Sequence, residues 1–421
     1  MKRIYIPLLV VLSTLGSAEI TVPSLVLYGL VGICLVIISA KYAIFNSIFV
    51  LNKQILVLLL SFITVYILAS VIGATTTGLT LDFILFIGLC YCLLVIIYIL
   101  PRITLTVDLL YWISIISAVI SFFGLLSLVI GEYNLVITSV LINEYNTVSY
   151  LDSFIEISPI ESIMGNENGL AHLAGIGVLS SLILAKTHNG ARYYVLTFVS
   201  LSALIFTGSR GGYLVTGIGI FMLSIAYIEE NHISINLSRI SIHGFFLSTY
   251  LYFILILIYS PNILNNLPIH LAGRVDLWNA THYIVSSNIL TGTGYTAKSI
   301  TGVAQTNGIL IVQETLPAHL HGLSPHNSYL RVFLHTGAIG GFLYILLLHI
   351  CLYRISTITD STIRYAGICL GIVYVVMQHV ESFSIIGFNI HSLIFALIIG
   401  YGIQSKKEIQ STAVRTNRQS K

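Results

Sequence analysis

Four cationic side chains stand apart by position: Arg210, Arg274, Lys298 and Arg331. Once the apolar stretches are read as membrane spans, every other one of the 19 Lys and Arg falls on one side of the bilayer. Positive charge is normally depleted from the opposite side. A basic set there points to an anionic group handled outside the cytoplasm, phosphate or diphosphate first. Arg210 lies in Thr207-Gly208-Ser209-Arg210-Gly211-Gly212, where one span ends and the next begins. Glycine lets the chain turn tightly, the following helix offers free N–H groups, and a guanidinium fork suits phosphate oxygens. The plainer reading is an arginine snorkelling to headgroups. Arg274 opens Gly273-Arg274-Val275-Asp276-Leu277-Trp278, where a surface pair with Asp276 is the alternative. His326 follows Pro325 in His326-Asn327-Ser328-Tyr329-Leu330-Arg331. It is either a hydrogen-bonded helix start or a side chain able to take a proton near neutral pH. Glu381, in His379-Val380-Glu381-Ser382, is a second candidate base, or else a solvated helix-end carboxylate. His319 and His321 match no zinc spacing, so no metal is expected.

These residues need a scaffold, and composition specifies its class. Only 8% of residues are charged and 56% are hydrophobic, against about 25% charged in soluble domains. A net charge of +3 gives no nucleic-acid footprint. Cys34, Cys90, Cys92, Cys351 and Cys369 all lie in apolar runs and read as small core residues rather than disulfides.

Stretches long enough to cross about 30 Å of hydrocarbon recur at 4–18, 22–39, 54–73, 81–100, 107–130, 168–185, 191–207, 212–228, 244–260, 331–352, 364–380 and 384–403. The fold class is therefore all-α, a polytopic membrane protein with about 12 transmembrane helices. Residues 1–403 form a single multi-span domain and 404–421 a basic cytoplasmic tail. Lys2-Arg3 and Gly16-Ser17-Ala18 also give the first stretch the look of a cleaved signal. The spans carry almost no deep ionisable groups, which argues against a transporter or flippase of an anionic lipid-linked substrate. Residues 131–167 hold six acids and no Lys or Arg, and read as a solvated external loop. The 261–330 loop between spans 9 and 10 is too long for a plain connection. Val275, Leu277, Trp278, Ile284 and Val285 give it an amphipathic helix expected to lie along the membrane surface, followed by turns around Gly292-Thr293-Gly294.

Taken in order, SRGGY at a span boundary, GRxxxW followed by GxGY, and HNSYL before a span resemble the O-antigen ligase and O-antigen polymerase family. The resemblance runs over roughly residues 160–350. Gly165-Asn166-Glu167-Asn168-Gly169-Leu170-Ala171 is similar to the family's Asn-containing approach to the preceding span. Where the family often has an acid before the glycine that follows HNSYL, this chain has His335-Thr336-Gly337. The resemblance implies a metal-independent, inverting glycosyltransferase of the cytoplasmic (inner) membrane with its site on the periplasmic or extracellular face, and no cofactor. Its donor would be a polyprenyl-pyrophosphate-linked glycan and its acceptor a glycan hydroxyl, with a flippase and a chain-length regulator as further partners. Arg210 and Arg274 would hold the donor pyrophosphate, with Arg331 as helper, and His326 would serve the acceptor. Glu381, Lys298 and Asn168 complete the candidates. Polymerase is the preferred activity, with O-antigen ligase or protein O-oligosaccharyltransferase as the alternative.

Overall fold

A computed structural model describes residues 52–77, 81–103, 106–134, 139–142, 148–150, 155–231, 236–259, 274–295, 300–306, 323–381, 386 and 389–404, with isolated positions elsewhere. The expected spans at 4–18 and 22–39, Lys298, His319, His321 and residues 405–421 of the tail lie outside the described set, apart from positions 10, 11 and 14.

The chain is helical almost throughout. Helices α1 (Lys53–Thr77), α2 (Leu81–Ile103) and α3 (Thr106–Ile130) precede a short β-region. After it come α4 (Glu167–His188), α5 (Ala191–Phe206), α6 (Arg210–Asn231) and α7 (Leu237–Tyr259). Two short helices, α8 (Arg274–Ser287) and α9 (Ile300–Thr306), lead to α10 (Ser328–Ile355), α11 (Ser361–Val380) and α12 (Ile390–Ile403). Among the described residues, seven helices are long and apolar enough to cross a membrane: α1, α3, α4, α6, α7, α10 and α11. Shorter apolar helices cover Phe86–Tyr98, Ala191–Phe206 and Ile390–Ile403. The last starts six residues later than expected, because Asn389 caps it, its side chain accepting from Ser392 N at 2.8 Å. Such a cap satisfies an N–H that has no partner inside the helix.

Two sequence expectations need correction. Residues 131–167 are not simply a solvated loop. They form two small antiparallel sheets, ordered β1 (Tyr133–Asn134), β2 (Ser139–Ile142), β5 (Ile160–Ser162) and β3 (Val148–Tyr150), β4 (Ile155–Ile157). Val140 and Ile160 are fully buried, and Ser162 Oγ donates to Ile120 O of α3 at 2.9 Å. Short extended runs around buried β-branched residues were masked by the acids between them. The amphipathic helix α8 turns its apolar face onto the protein. It buries Val275, Leu277, Trp278, Ile284 and Val285 and packs against α10 and α7. Finally, histidines do stand inside the spans: His172 and His335 are 3% and 1% exposed.

Connectivity sorts the helix ends into two groups. Lys53, Lys186, Arg192, Arg239, Arg354 and Arg364 share one end, tied across the bundle by Asn52 N donating to Ile403 O at 2.8 Å. The heads of α4, α6, α8, α10 and α12 lie at the other, together with Arg210, Arg274 and the C-terminus of α11. Helix N-termini carry partial positive charge, so the heads of α6, α8 and α10 place such charge locally beside Arg210, Arg274 and His326, while the C-termini at the same end carry the opposite sign.

Candidate active site

Glu381 is the hub. It ends α11, its N–H bonded to Met377 O, and its carboxylate faces two of the expected site residues. Arg274 Nη2 lies 3.1 Å from Oε1, and His326 Nδ1 lies 3.3 Å from Oε2. The carboxylate is only 15% exposed. Burial pushes its pKa up. The hydrogen bond from His326 and the charges of His172, Arg274 and His326 outweigh burial and hold it below the ordinary carboxylate value. It is therefore ionised at neutral pH.

Local sequence explains how these groups meet. Arg274 and Trp278 stand one turn apart on α8. While Arg274 reaches Glu381, Trp278 Nε1 donates to Pro325 O at 2.8 Å. The GRxxxW spacing thus clamps the residue just before His326. His326 itself has φ +47°, a left-handed conformation that is uncommon outside glycine. It is followed by Asn327, which caps α10 by accepting from Leu330 N at 2.9 Å and donates to His379 O at 3.1 Å. Ser328 Oγ donates to Glu381 O at 2.7 Å. The HNS tripeptide is therefore stitched to the last turn of α11.

Arg210 heads α6 at the same end and is exposed. The turn before it is set by Ser209, whose Oγ accepts from Gly212 N at 3.2 Å and donates to Asn168 Oδ1 at 2.6 Å. Asn168 thus holds the SRGG turn in place. Gly212 is required by packing, since a Cβ there would stand 2.6 Å from Ala171 Cβ on α4. A Cβ on Gly211 would meet Val380 Cγ2 at 4.0 Å, which puts the Arg210 turn beside the residue preceding Glu381.

Arg331 lies one turn into α10, and its charge acts on Tyr66 and His335. Among the described residues neither Arg210 nor Arg331 has a carboxylate within ion-pair distance. On Glu381 itself the described cationic partners are Arg274 and His326, with Arg210 at the neighbouring helix head and Arg331 deeper along α10. Two groups were missed in the sequence: His172, one turn past the head of α4, and His391 on α12, with ring centroids 6.1 Å apart. His172 couples electrostatically to Glu381 and Arg274. Its only sequence signal was an imidazole within an otherwise apolar stretch following a capping Asn.

Fold and site together define a protein of long apolar helices, of the kind that cross a membrane, with an Arg–Glu–His cluster at one end of them. Residues 195–345 match the family model described as Wzy_C, O-antigen ligase, and that match supports the O-antigen ligase and polymerase family for this chain. No match was found among curated proteins or among solved structures. The matched stretch contains the Arg210, Arg274 and His326 motifs, while Glu381, His172 and Asn168 come from outside it.

Proposed function

We propose that this protein transfers a glycan from polyprenyl diphosphate to an acceptor sugar hydroxyl on the external membrane face, polymerising lipid-linked repeat units. Arg210 and Arg274 hold the donor diphosphate. The acceptor oxygen attacks the anomeric carbon, and the bond from that carbon to the diphosphate oxygen breaks. The electron pair stays on the departing polyprenyl diphosphate, which gains one negative charge. Fixed guanidinium groups and the heads of α6, α8 and α10 stabilise that developing charge. Direct displacement inverts the anomeric centre.

His326 takes the acceptor proton. With Nδ1 donating to Glu381, Nε2 is left as the base, and the carboxylate stabilises the imidazolium that forms. Arg274 shares the same carboxylate, so the proton-accepting and anion-binding groups are held in one rigid unit. The observation carrying this reading is that shared contact: Arg274 and His326, far apart in sequence, meet on opposite oxygens of Glu381. The family description favours a ligase as the second reading, with the same donor chemistry and a different acceptor. Supplying purified protein with a polyprenyl-diphosphate-linked repeat unit tests both. A ladder of extended lipid-linked glycans marks a polymerase, and product formed only when a lipid A core or protein acceptor is added marks a ligase. Release of no polyprenyl diphosphate in either case refutes the proposal, and retained anomeric configuration by NMR refutes its inverting step.

A further inference from the structure

A second polar cluster lies deeper along α10 than the Glu381 site. Ser328, Arg331 and His335 are spaced three and four residues apart, so they follow one face of the helix. At about 1.5 Å per residue, Arg331 stands roughly 5 Å and His335 roughly 10 Å inward from Ser328. His335 Nδ1 lies 2.6 Å from the Tyr66 hydroxyl. The Tyr295 ring is 5.5 Å from the His335 ring and stacks on Phe86 at 4.7 Å. Tyr295 N donates to Ser70 Oγ at 3.0 Å.

The backbone here is built to bring these groups together. Thr293 N and Gly294 N donate to Leu334 O and His335 O at 2.8 and 2.9 Å, and Ala338 N donates to Ile289 O at 2.6 Å. The GTGY segment is thus inserted into a break in α10 at Gly337, whose φ is +65° and ψ −170°. A Cβ on Gly292 would collide with the backbone of residues 335–337, and one on Gly294 would stand 2.5 Å from Ala69 O. Only glycine lets the chains approach so closely. Such insertion of irregular backbone into a span is tolerated where it is buried in protein or lines a cavity.

We infer that Arg331, His335, Tyr66 and Tyr295 form a second oxyanion subsite that receives the phosphate of a lipid-linked acceptor. This rests on the glycosyl-transfer reading given above. Arg331 is partly buried and has no carboxylate partner among the described residues. Glu381 is neutralised instead by Arg274 and His326. A guanidinium held half out of water without a counter-ion is costly unless an anion completes it. Its charge acts on the Tyr66 hydroxyl and the His335 imidazole, which bond to each other at 2.6 Å, so one O–H or N–H of that pair is left to donate to a phosphate oxygen. Phosphate oxygens could also come from the donor's second phosphate, and kinetics separates the two sources.

The test uses the full chain in proteoliposomes with two acceptors bearing the same glycan. One carries a non-cleavable polyprenyl phosphonate analogue and the other a neutral alkyl group. The donor is a polyprenyl-diphosphate repeat unit lacking the acceptor hydroxyl. The wild type is expected to prefer the phosphonate acceptor by about tenfold or more in kcat/KM, the scale of a charge-assisted contact. Arg331→Gln is expected to reduce that preference to below about threefold, and Arg331→Lys to retain most of it. Equal use of both acceptors by the wild type overturns the inference, and this comparison stands even if the Gln variant fails to fold. A raised donor KM in Arg331→Gln with acceptor preference intact assigns the cation to the donor and also overturns it. No transfer by the wild type to either acceptor refutes glycosyl transfer itself, a distinguishable result.

Discussion

Replacing Glu381 with Gln removes one charge and keeps the volume, so it isolates the electrostatic role of the hub. Two contacts change, to Arg274 at 3.1 Å and to His326 at 3.3 Å. An effective dielectric of about 20 would allow roughly 5 kcal/mol for unit charges at the longer distance. The Arg274 and His326 side chains are 25% and 33% exposed, and solvent reduces that figure. Hydrogen bonds to charged groups are worth about 1.5–3 kcal/mol, and about 2 kcal/mol is a reasonable share for the imidazolium. Because that charge appears only as the acceptor proton moves, kcat should fall roughly 30-fold. Donor KM should stay level or drop, since Arg274 no longer shares its charge with a carboxylate. Glu381→Asp should recover part of kcat. Initial rates in proteoliposomes at several donor concentrations give the split. A raised KM with unchanged kcat would refute the reasoning, because Glu381 would then matter only to donor binding. The pH dependence has a definite sign. A carboxylate held below its unfolded pKa contributes stability above that unfolded value and loses it as pH falls through the folded one. The carboxylate's own share of the stability gap between wild type and Glu381→Gln should close as pH falls below roughly pH 4.

Other changes separate scaffold from chemistry. Arg210→Lys keeps the charge but loses the bidentate fork; at least a tenfold loss of kcat/KM is expected with normal membrane insertion, read by product yield and blotting. Trp278→Phe keeps the ring packing and removes the bond to Pro325 O, leaving that carbonyl unsatisfied. About 1–2 kcal/mol of stability should be lost, seen as a lower thermal midpoint, together with reduced turnover. Gly337→Ala forces a side chain into a conformation reserved for glycine, costing about 1–3 kcal/mol before the clash with Leu290 O is counted. Little monodisperse protein is expected on size-exclusion chromatography, whereas Gly217→Ala, in open space, should purify normally.

Much of this architecture could be read in advance because burial in lipid leaves a strong pattern. The apolar runs locate the long helices to within a few residues, and the alternation of basic residues fixes which ends belong together. Arg274 and His326 stood out by type and place, and the family resemblance is what attached roles to them. Their convergence on Glu381 was not legible, since that carboxylate lies more than 50 residues beyond His326 and could equally be read as a solvated helix end, while His335-Thr336-Gly337 stands where the resemblance often has an acid. That triplet instead provides the break that admits the GTGY segment. Strand content in 131–162 escaped notice for a different reason: its extended runs are only two to four residues long. His172 and His391 were passed over as isolated imidazoles, because the contact between them is made by two helices distant in sequence.

The central claim is tested most directly by purified protein in proteoliposomes given a polyprenyl-diphosphate-linked repeat unit, with released polyprenyl diphosphate and extended glycan measured together. Wild type should generate both in equal amounts, and His326→Ala neither above background while remaining folded and inserted. Turnover by His326→Ala at the wild-type rate, or product formed without release of the lipid diphosphate, would contradict the account.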